Sequence, residues 1–260
     1  MRGNMLKTIF QIDNDSPLIF TAIHSGHALT KLAQGNMNLL DNLRLVEEDP
    51  YTDLFAKLHD NFVITPYSRF EIDLNRRRTT ALYRTADDCW GLDSRKDIPS
   101  EAQENLAFQI YDEFYADMKL HLDKLLKKYP KFIILDLHSY NHNRAGDGRP
   151  FDDPQKNPEI IIGTSNMSEK WHPMIKDFHK HLLDFDFEGR PLDVRINVKY
   201  PGGNFPRWIH NTYPEQGISI AMEVKKIFMN EWTGKIYPER FKLLQDFTLH
   251  MKKFLLDYLA

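Results

Sequence analysis

Phe132-Ile133-Ile134-Leu135-Asp136-Leu137-His138-Ser139 is a short apolar run that admits one aspartate and then stops at a histidine. It follows an amphipathic stretch in which Leu106, Ile110, Phe114, Met118, Leu122, Leu125 and Tyr129 recur every third or fourth residue, opened by Ser100 and stopped by Pro130. That periodicity predicts a helix, and the run after it reads as a buried strand. Helix directly into buried strand is the repeating unit of a parallel sheet. Two further runs end in the same manner. Leu18-Ile19-Phe20-Thr21-Ala22-Ile23 leads into His24-Ser25-Gly26, and Ile218-Ser219-Ile220-Ala221-Met222 leads into Glu223. Open α/β sheets bind ligands outside the carboxyl ends of their strands. Two imidazoles and a carboxylate at three strand ends therefore point to a zinc-dependent hydrolytic site.

Further strands are expected over residues 6–13, 63–65, 70–74, 159–162 and 194–198, the 70–74 segment alternating with period two. Thr52 or Asp53 is expected to cap a short helix through Leu58. Ser168 opens another that carries Trp171, Ile175, Phe178 and Leu182, and an amphipathic helix closes the chain from about Pro238 to Leu259. A loop rich in Gly, Pro and Asp covers 145–158, and Pro201-Gly202-Gly203 reads as a turn. Strands and helices alternate with no repeat and no low-complexity linker. The expectation is one α/β domain over residues 1–260, with a mixed, mostly parallel sheet flanked by helices.

The bulk numbers bound the partners. With 42% hydrophobic and 27% charged residues the composition is globular, and a net charge of -3 leaves no dominant basic face for nucleic acid. Cys89 is the only cysteine, which rules out an internal disulfide framework and fits a reducing cytoplasm. No apolar stretch approaches the ~20 residues needed to cross a bilayer. The start, Met1-Arg2-Gly3-Asn4 followed by a run broken at Gln11 and Asp13, is not that of a signal peptide.

A lone histidine at a strand end commonly bonds the following turn; the pairing of His24 with His138 is what argues for a metal. Asp136 shares a face with His138, where it either orients the imidazole or is satisfied by loop amides. A catalytic zinc takes three protein ligands and keeps a position for water. The third would come from the acidic segment Glu47-Glu48-Asp49-Pro50-Tyr51-Thr52-Asp53, with His27 as a rival. Arg69 and the Arg76-Arg77-Arg78 run suit an anionic substrate, since a guanidinium meets a carboxylate through two parallel hydrogen bonds; the competing reading is a structural ion pair. Glu223 is read as the general base, against a structural pairing with Lys225 or Lys226. Trp90 and Trp208 read as packing.

Taken in order, His24-Ser25-Gly26, residues 47–53, Ser68-Arg69-Phe70-Glu71-Ile72-Asp73-Leu74-Asn75-Arg76, Asp136-Leu137-His138-Ser139, Asn197 with Gly202-Gly203, and Met222-Glu223 resemble the N-formylglutamate amidohydrolase family. The most specific piece is the Ser68–Arg76 block. That family is similar in turn to the zinc carboxypeptidases and aspartoacylase, which implies their phosphorylase/hydrolase-like α/β fold. The resemblance implies His24 and His138 as ligands of one Zn2+ (or another divalent ion) and Arg69 as the group polarising the scissile carbonyl. Asn75 and Arg76 would hold a substrate carboxylate, helped by Arg144 and the Gly202-Gly203 turn, with Glu223 as base. The carboxypeptidases place an acid where this chain has His27, so the acidic ligand is expected at Asp49, where the deformylases carry an aspartate, with Glu48 as the alternative. The implied substrate is a small anionic acyl amino acid, N-formyl-L-glutamate first. A peptidase, a deacylase of another acyl amino acid and an inactive ligand-binding relative are the alternatives.

Overall fold

The computed structural model describes residues 6–13 and 15–260; residues 1–4, on which the signal-peptide reading rests, lie outside them. Its strands are β1 (Ile9–Gln11), β2 (Leu18–Ala22), β3 (Phe62–Ile64), β4 (Phe132–Tyr140), β5 (Ile160–Gly163), β6 (Asp186–Phe187), β7 (Arg190–Pro191), β8 (Val194–Ile196) and β9 (Gly217–Lys225). Seven form one sheet in the order β1-β3-β2-β4-β9-β5-β8, while β6 and β7 make a separate hairpin. The β2–β3, β2–β4, β4–β9 and β5–β8 pairs are parallel, and β1–β3 and β5–β9 are antiparallel. The sheet is thus mixed and mostly parallel, as expected.

The helices are α1 (Lys31–Asn36), α2 (Asp41–Glu47), α3 (Thr52–Ala56), α4 (Glu101–Leu125), α5 (His172–Leu183), α6 (Asn204–Thr212) and α7 (Pro238–Leu259). Every residue of β4 is buried because both faces of the sheet are covered. Ile133, Leu135 and Leu137 pack with Phe55 of α3, Phe178 of α5 and Phe247 of α7. Phe132 and Ile134 pack on the opposite face with Phe114 of α4 and Phe205 of α6. By alternation Asp136 and His138 point to the α4/α6 face, as do Thr21 on β2 and Glu223 on β9. One parity rule, applied to three neighbouring strands, aims their polar residues at one place.

Several local expectations are corrected. Residues 70–74 are not a strand but a buried run of turns. Ser68 O accepts from Glu71 N and Ile72 N, Asp73 Oδ1 accepts from Asn75 N, and Arg95 donates to Phe70 O. These bonds satisfy the backbone without a ladder, and burial on all sides mimics strand alternation. The first strand covers only Ile9–Gln11 of the expected 6–13, and α4 stops at Leu125, ahead of Pro130. The cap of α3 is Tyr51 in a left-handed conformation (φ 69), while Thr52 Oγ1 donates to Asp49 O. β4 and β9 run past His138 and Glu223, to Tyr140 and Lys225, so those side chains stand within strands. Helices α1 and α2 are shorter than the windows on which a periodic signal depends, whereas α6, not expected from the sequence, does carry one in Phe205, Trp208 and Ile209.

The α6–β9 contact carries a pH dependence. His210 Nε2 accepts from Ser219 N at 3.0 Å, and burial pushes the imidazole down to about 4. The unfolded chain would protonate it near ~6.5. Between those values the unfolded state binds the extra proton, so the stabilisation present above pH ~6.5 is lost as pH falls toward the folded value. Urea unfolding at pH 7 and 4.5 should show a loss about 2–3 kcal/mol larger for the natural chain than for His210→Gln. Equal losses in the two proteins would contradict this assignment.

Candidate active site

Residues from the C-terminal parts of two strands, the turn after a third and one acidic turn build the centre. His24 lies in the turn two residues past the end of β2, while His138 and Glu223 are register partners on β4 and β9. Asp49 lies in the turn between α2 and α3, held there by donation from its N–H to His24 O at 3.0 Å. The His24 and His138 rings meet edge to face at 4.9 Å, and Asp49 Oδ2 sits 2.9 Å from His138 Nδ1 and 3.5 Å from His24 Nδ1. The other ring nitrogens are committed elsewhere. His138 Nε2 lies 2.9 Å from Asp136 Oδ2, and Asp136 Oδ1 in turn accepts from Thr21 Oγ1 at 2.6 Å. His24 Nε2 lies 2.8 Å from Asp73 Oδ1. Of the two readings of Asp136, the ring partner is the one observed.

His24, Asp49 and His138 thus present ligand atoms all within 4.8 Å of one another, every residue buried. Burial would raise the Asp49 carboxyl, but its hydrogen bonds to His138 and His24 outweigh that and hold it well below the usual range. Burial likewise disfavours a charged His138, yet Asp136 and Asp49 hold its proton far more tightly than usual. The surrounding acids demand positive charge between the rings. Two Nδ1 atoms and a carboxylate, with each Nε2 fixed by a buried aspartate, is the donor set and support that a divalent metal such as zinc takes. The residues fit such an ion.

Glu48, the alternative acid, turns away from this cluster. Fully buried, it accepts from Ser68 Oγ, pairs with His27 Nδ1 and meets Arg44 Nη1 at 3.3 Å. His27 is drawn to Glu48 and does not join the pair of rings.

The adjoining pocket encloses about 230 Å³ and is lined by Arg69, Asn75, Arg76, Arg144, Tyr200 and Glu223 among others. Glu223 accepts no hydrogen bond from the described residues, and burial pushes its carboxyl up to about 7. The lysines that might have paired with it are engaged: Lys225 donates to Asn157 O, and Lys226 to Val46 O, Glu48 O and Asn141 Oδ1. Arg69 donates to Asp73 Oδ2 at 2.8 Å and to Glu47 O at 3.3 Å, so its guanidinium is aimed. Of the arginine run only Arg76 faces inward. Arg78 makes a bidentate pair with Asp112 on the outer surface, at 2.7 and 2.9 Å, and Arg77 is exposed. For Arg78 the structural ion pair is what forms. Arg144 reaches the pocket wall but is held there by Glu47 at 2.9 and 3.2 Å.

Gly203 allows a close approach. A Cβ there would overlap the Asn75 side chain, whose Oδ1 accepts from Phe205 N at 3.0 Å. Gly202 adopts φ 104, a conformation open to glycine. Asn197 serves the neighbouring loop, accepting from Thr164 N.

Sequence reasoning gave no role to Asp73 or Tyr83, and weighed Lys226 only as a partner for Glu223. Buried Asp73 joins His24, Arg69, the Asn75 backbone and Tyr83 Oη in one cluster. Its signal was present, an acid inside an otherwise apolar stretch of the Ser68–Arg76 block. The acceptors that Lys226 does meet had no such signal, because they lie far away in sequence.

A family model described as N-formylglutamate amidohydrolase matches residues 16–229. An N-formylglutamate amidohydrolase from Ralstonia eutropha JMP134 superposes with a TM-score of 0.75 at 14% identity, covering 98% of each chain. A gene product of Agrobacterium tumefaciens gives 0.68 at 17% identity, over 96% of this chain and 94% of that one. These two likenesses show a shared fold. No curated protein matches the chain.

Proposed function

The chain belongs to the N-formylglutamate amidohydrolase family, a hydrolase family acting on an amide bond, and from that premise we propose that it is a zinc-dependent deformylase of N-formyl-L-glutamate. The observation that carries this reading is the confluence of His24, Asp49 and His138 with an unbonded Glu223 and two inward guanidiniums on one small pocket. A pocket of about 230 Å³ suits a small acyl amino acid better than a long peptide.

His24, Asp49 and His138 would hold the ion. Such an ion supplies Lewis acidity toward an acyl oxygen and lowers the pKa of water toward ~7. Glu223 accepts a proton from the attacking water and returns it to the departing amine. Arg69, already aimed by Asp73 and the Glu47 carbonyl, stabilises negative charge developing on the acyl oxygen; losing one such donor costs about 3–4 kcal/mol. Arg76 and Asn75 anchor the substrate carboxylate. Asp136 and Asp73 keep both imidazoles in the tautomer and orientation that turn Nδ1 inward.

The test is a hydrolysis screen of N-formyl, N-acetyl and N-succinyl derivatives of glutamate and aspartate, with and without chelator. N-formyl-L-glutamate should give the highest kcat/KM, the purified protein should bind one zinc per chain, and chelation should remove both metal and turnover. A faster N-acetyl or N-succinyl substrate would move the acyl specificity, and full activity in metal-free protein would end the zinc reading. Gly203→Ala should push Asn75 out of place and lower kcat/KM about 100-fold, the order expected for a small misplacement of a binding group. Circular dichroism should be unchanged, and an unaffected rate would show that Asn75 does not bind substrate.

A further inference from the structure

Trp90 stands at the mouth of this pocket, where it caps the end of a helical turn. Its side chain lines the cavity, yet the residue is 49% exposed. Its backbone is left-handed, at φ 54 and ψ 28, an uncommon state for a bulky residue and one that clusters at functional sites. The loop presenting it is rigidly fastened. Thr85 and Asp88 cap its helical turn reciprocally, Gly91 N donates to Ala86 O at 2.9 Å, and Arg76 Nη1 donates to Asp88 O at 2.5 Å.

The indole faces two cations. Arg69 Cζ lies 4.8 Å from its ring centroid and Arg76 Cζ 5.4 Å. Arg76 also lies 4.5 Å from the Tyr83 ring, which meets Trp90 edge to face at 5.8 Å. Both guanidiniums required for an anionic acyl amino acid are therefore covered by one aromatic side chain. An indole is attracted to a guanidinium and excludes water beside it, and a carboxylate bound there gains charge attraction as solvent leaves.

We infer that Trp90 is a substrate-contacting specificity residue, whose indole shields the ion pair between Arg76 and the amino-acid carboxylate and walls the outer end of the pocket. This rests on the deformylase reading above. Because the indole covers Arg69 as well as Arg76, its loss falls on kcat/KM, through carboxylate binding at Arg76 and through charge stabilisation at Arg69. Trp90→Ala should lower kcat/KM for N-formyl-L-glutamate about 10-fold, and Trp90→Phe, which keeps an aromatic face, should recover most of it.

A spectroscopic measurement accompanies the kinetics. Titration with L-glutamate should change the tryptophan fluorescence of the natural chain, and Trp90→Phe, which retains Trp171, Trp208 and Trp232, should lose that change. A natural kcat/KM in Trp90→Ala, or an undiminished fluorescence change in Trp90→Phe, overturns the assignment of Trp90 while leaving the deformylase reading intact. A natural chain that hydrolyses none of the acyl amino acids overturns that reading and this inference with it.

Discussion

Glu223→Gln is expected to keep a full complement of bound metal and to lose hydrolysis by about 10³-fold or more, the upper range for removal of a general acid–base group. The substitution is nearly isosteric, and no hydrogen bond from the described residues depends on the carboxylate, so the fold has little to lose. Glu223 is the register partner of His138 but is absent from the buried ligand cluster, which separates its role from that of the metal. With burial holding its carboxyl near 7, it is suited to take up and release a proton around neutral pH. The check is kcat on the best acyl amino acid beside metal analysis of the same preparation. A kcat within tenfold of the natural enzyme would remove Glu223 from the mechanism; lost metal would make it a ligand instead.

Asp49→Ala and Glu48→Gln should separate two acids that are adjacent in sequence. Asp49 touches both Nδ1 atoms, so its removal should abolish stoichiometric metal binding and reduce turnover to background. Glu48 touches neither ring. Neutralising it disturbs the buried group formed with Arg44, His27 and Ser68, and losing one partner of a buried pair costs about 3–5 kcal/mol. The Glu48→Gln protein should therefore unfold at lower urea yet still bind zinc when folded. Calorimetric zinc titration with denaturant unfolding measures both. Metal binding retained in Asp49→Ala but lost in Glu48→Gln would reverse the assignment.

Much of the site could be read in the chain before its folding was known. His24, His138 and Glu223 each close an apolar run, and burying such runs in adjacent parallel strands leaves their polar ends at one edge. Arg69 and Arg76 were legible as guanidiniums suited to an anion, whereas Asn75 was legible only through a motif, because their segment is turn-rich. Its apparent alternation over residues 70–74 misled, since side chains buried in turns can copy the pattern of a strand. The contacts of Trp90 with Arg69 and Arg76 follow from a left-handed loop conformation, which local sequence does not disclose.

Apolar periodicity in the chain alone determined the alternation of helices and buried strands and the residues that end them, because burial of those runs is a local demand. Which acid faces the imidazoles, which arginine turns inward and what braces them belonged to the tertiary structure. Asp49 and Glu48 are chemically alike neighbours; a lysine from beyond β9 pinning the carbonyls of Val46 and Glu48, together with the reach of Arg44 and Ser68 toward Glu48, settles their different directions. Long-range hydrogen bonds made that choice, and residues far apart in the chain carry no local mark of meeting.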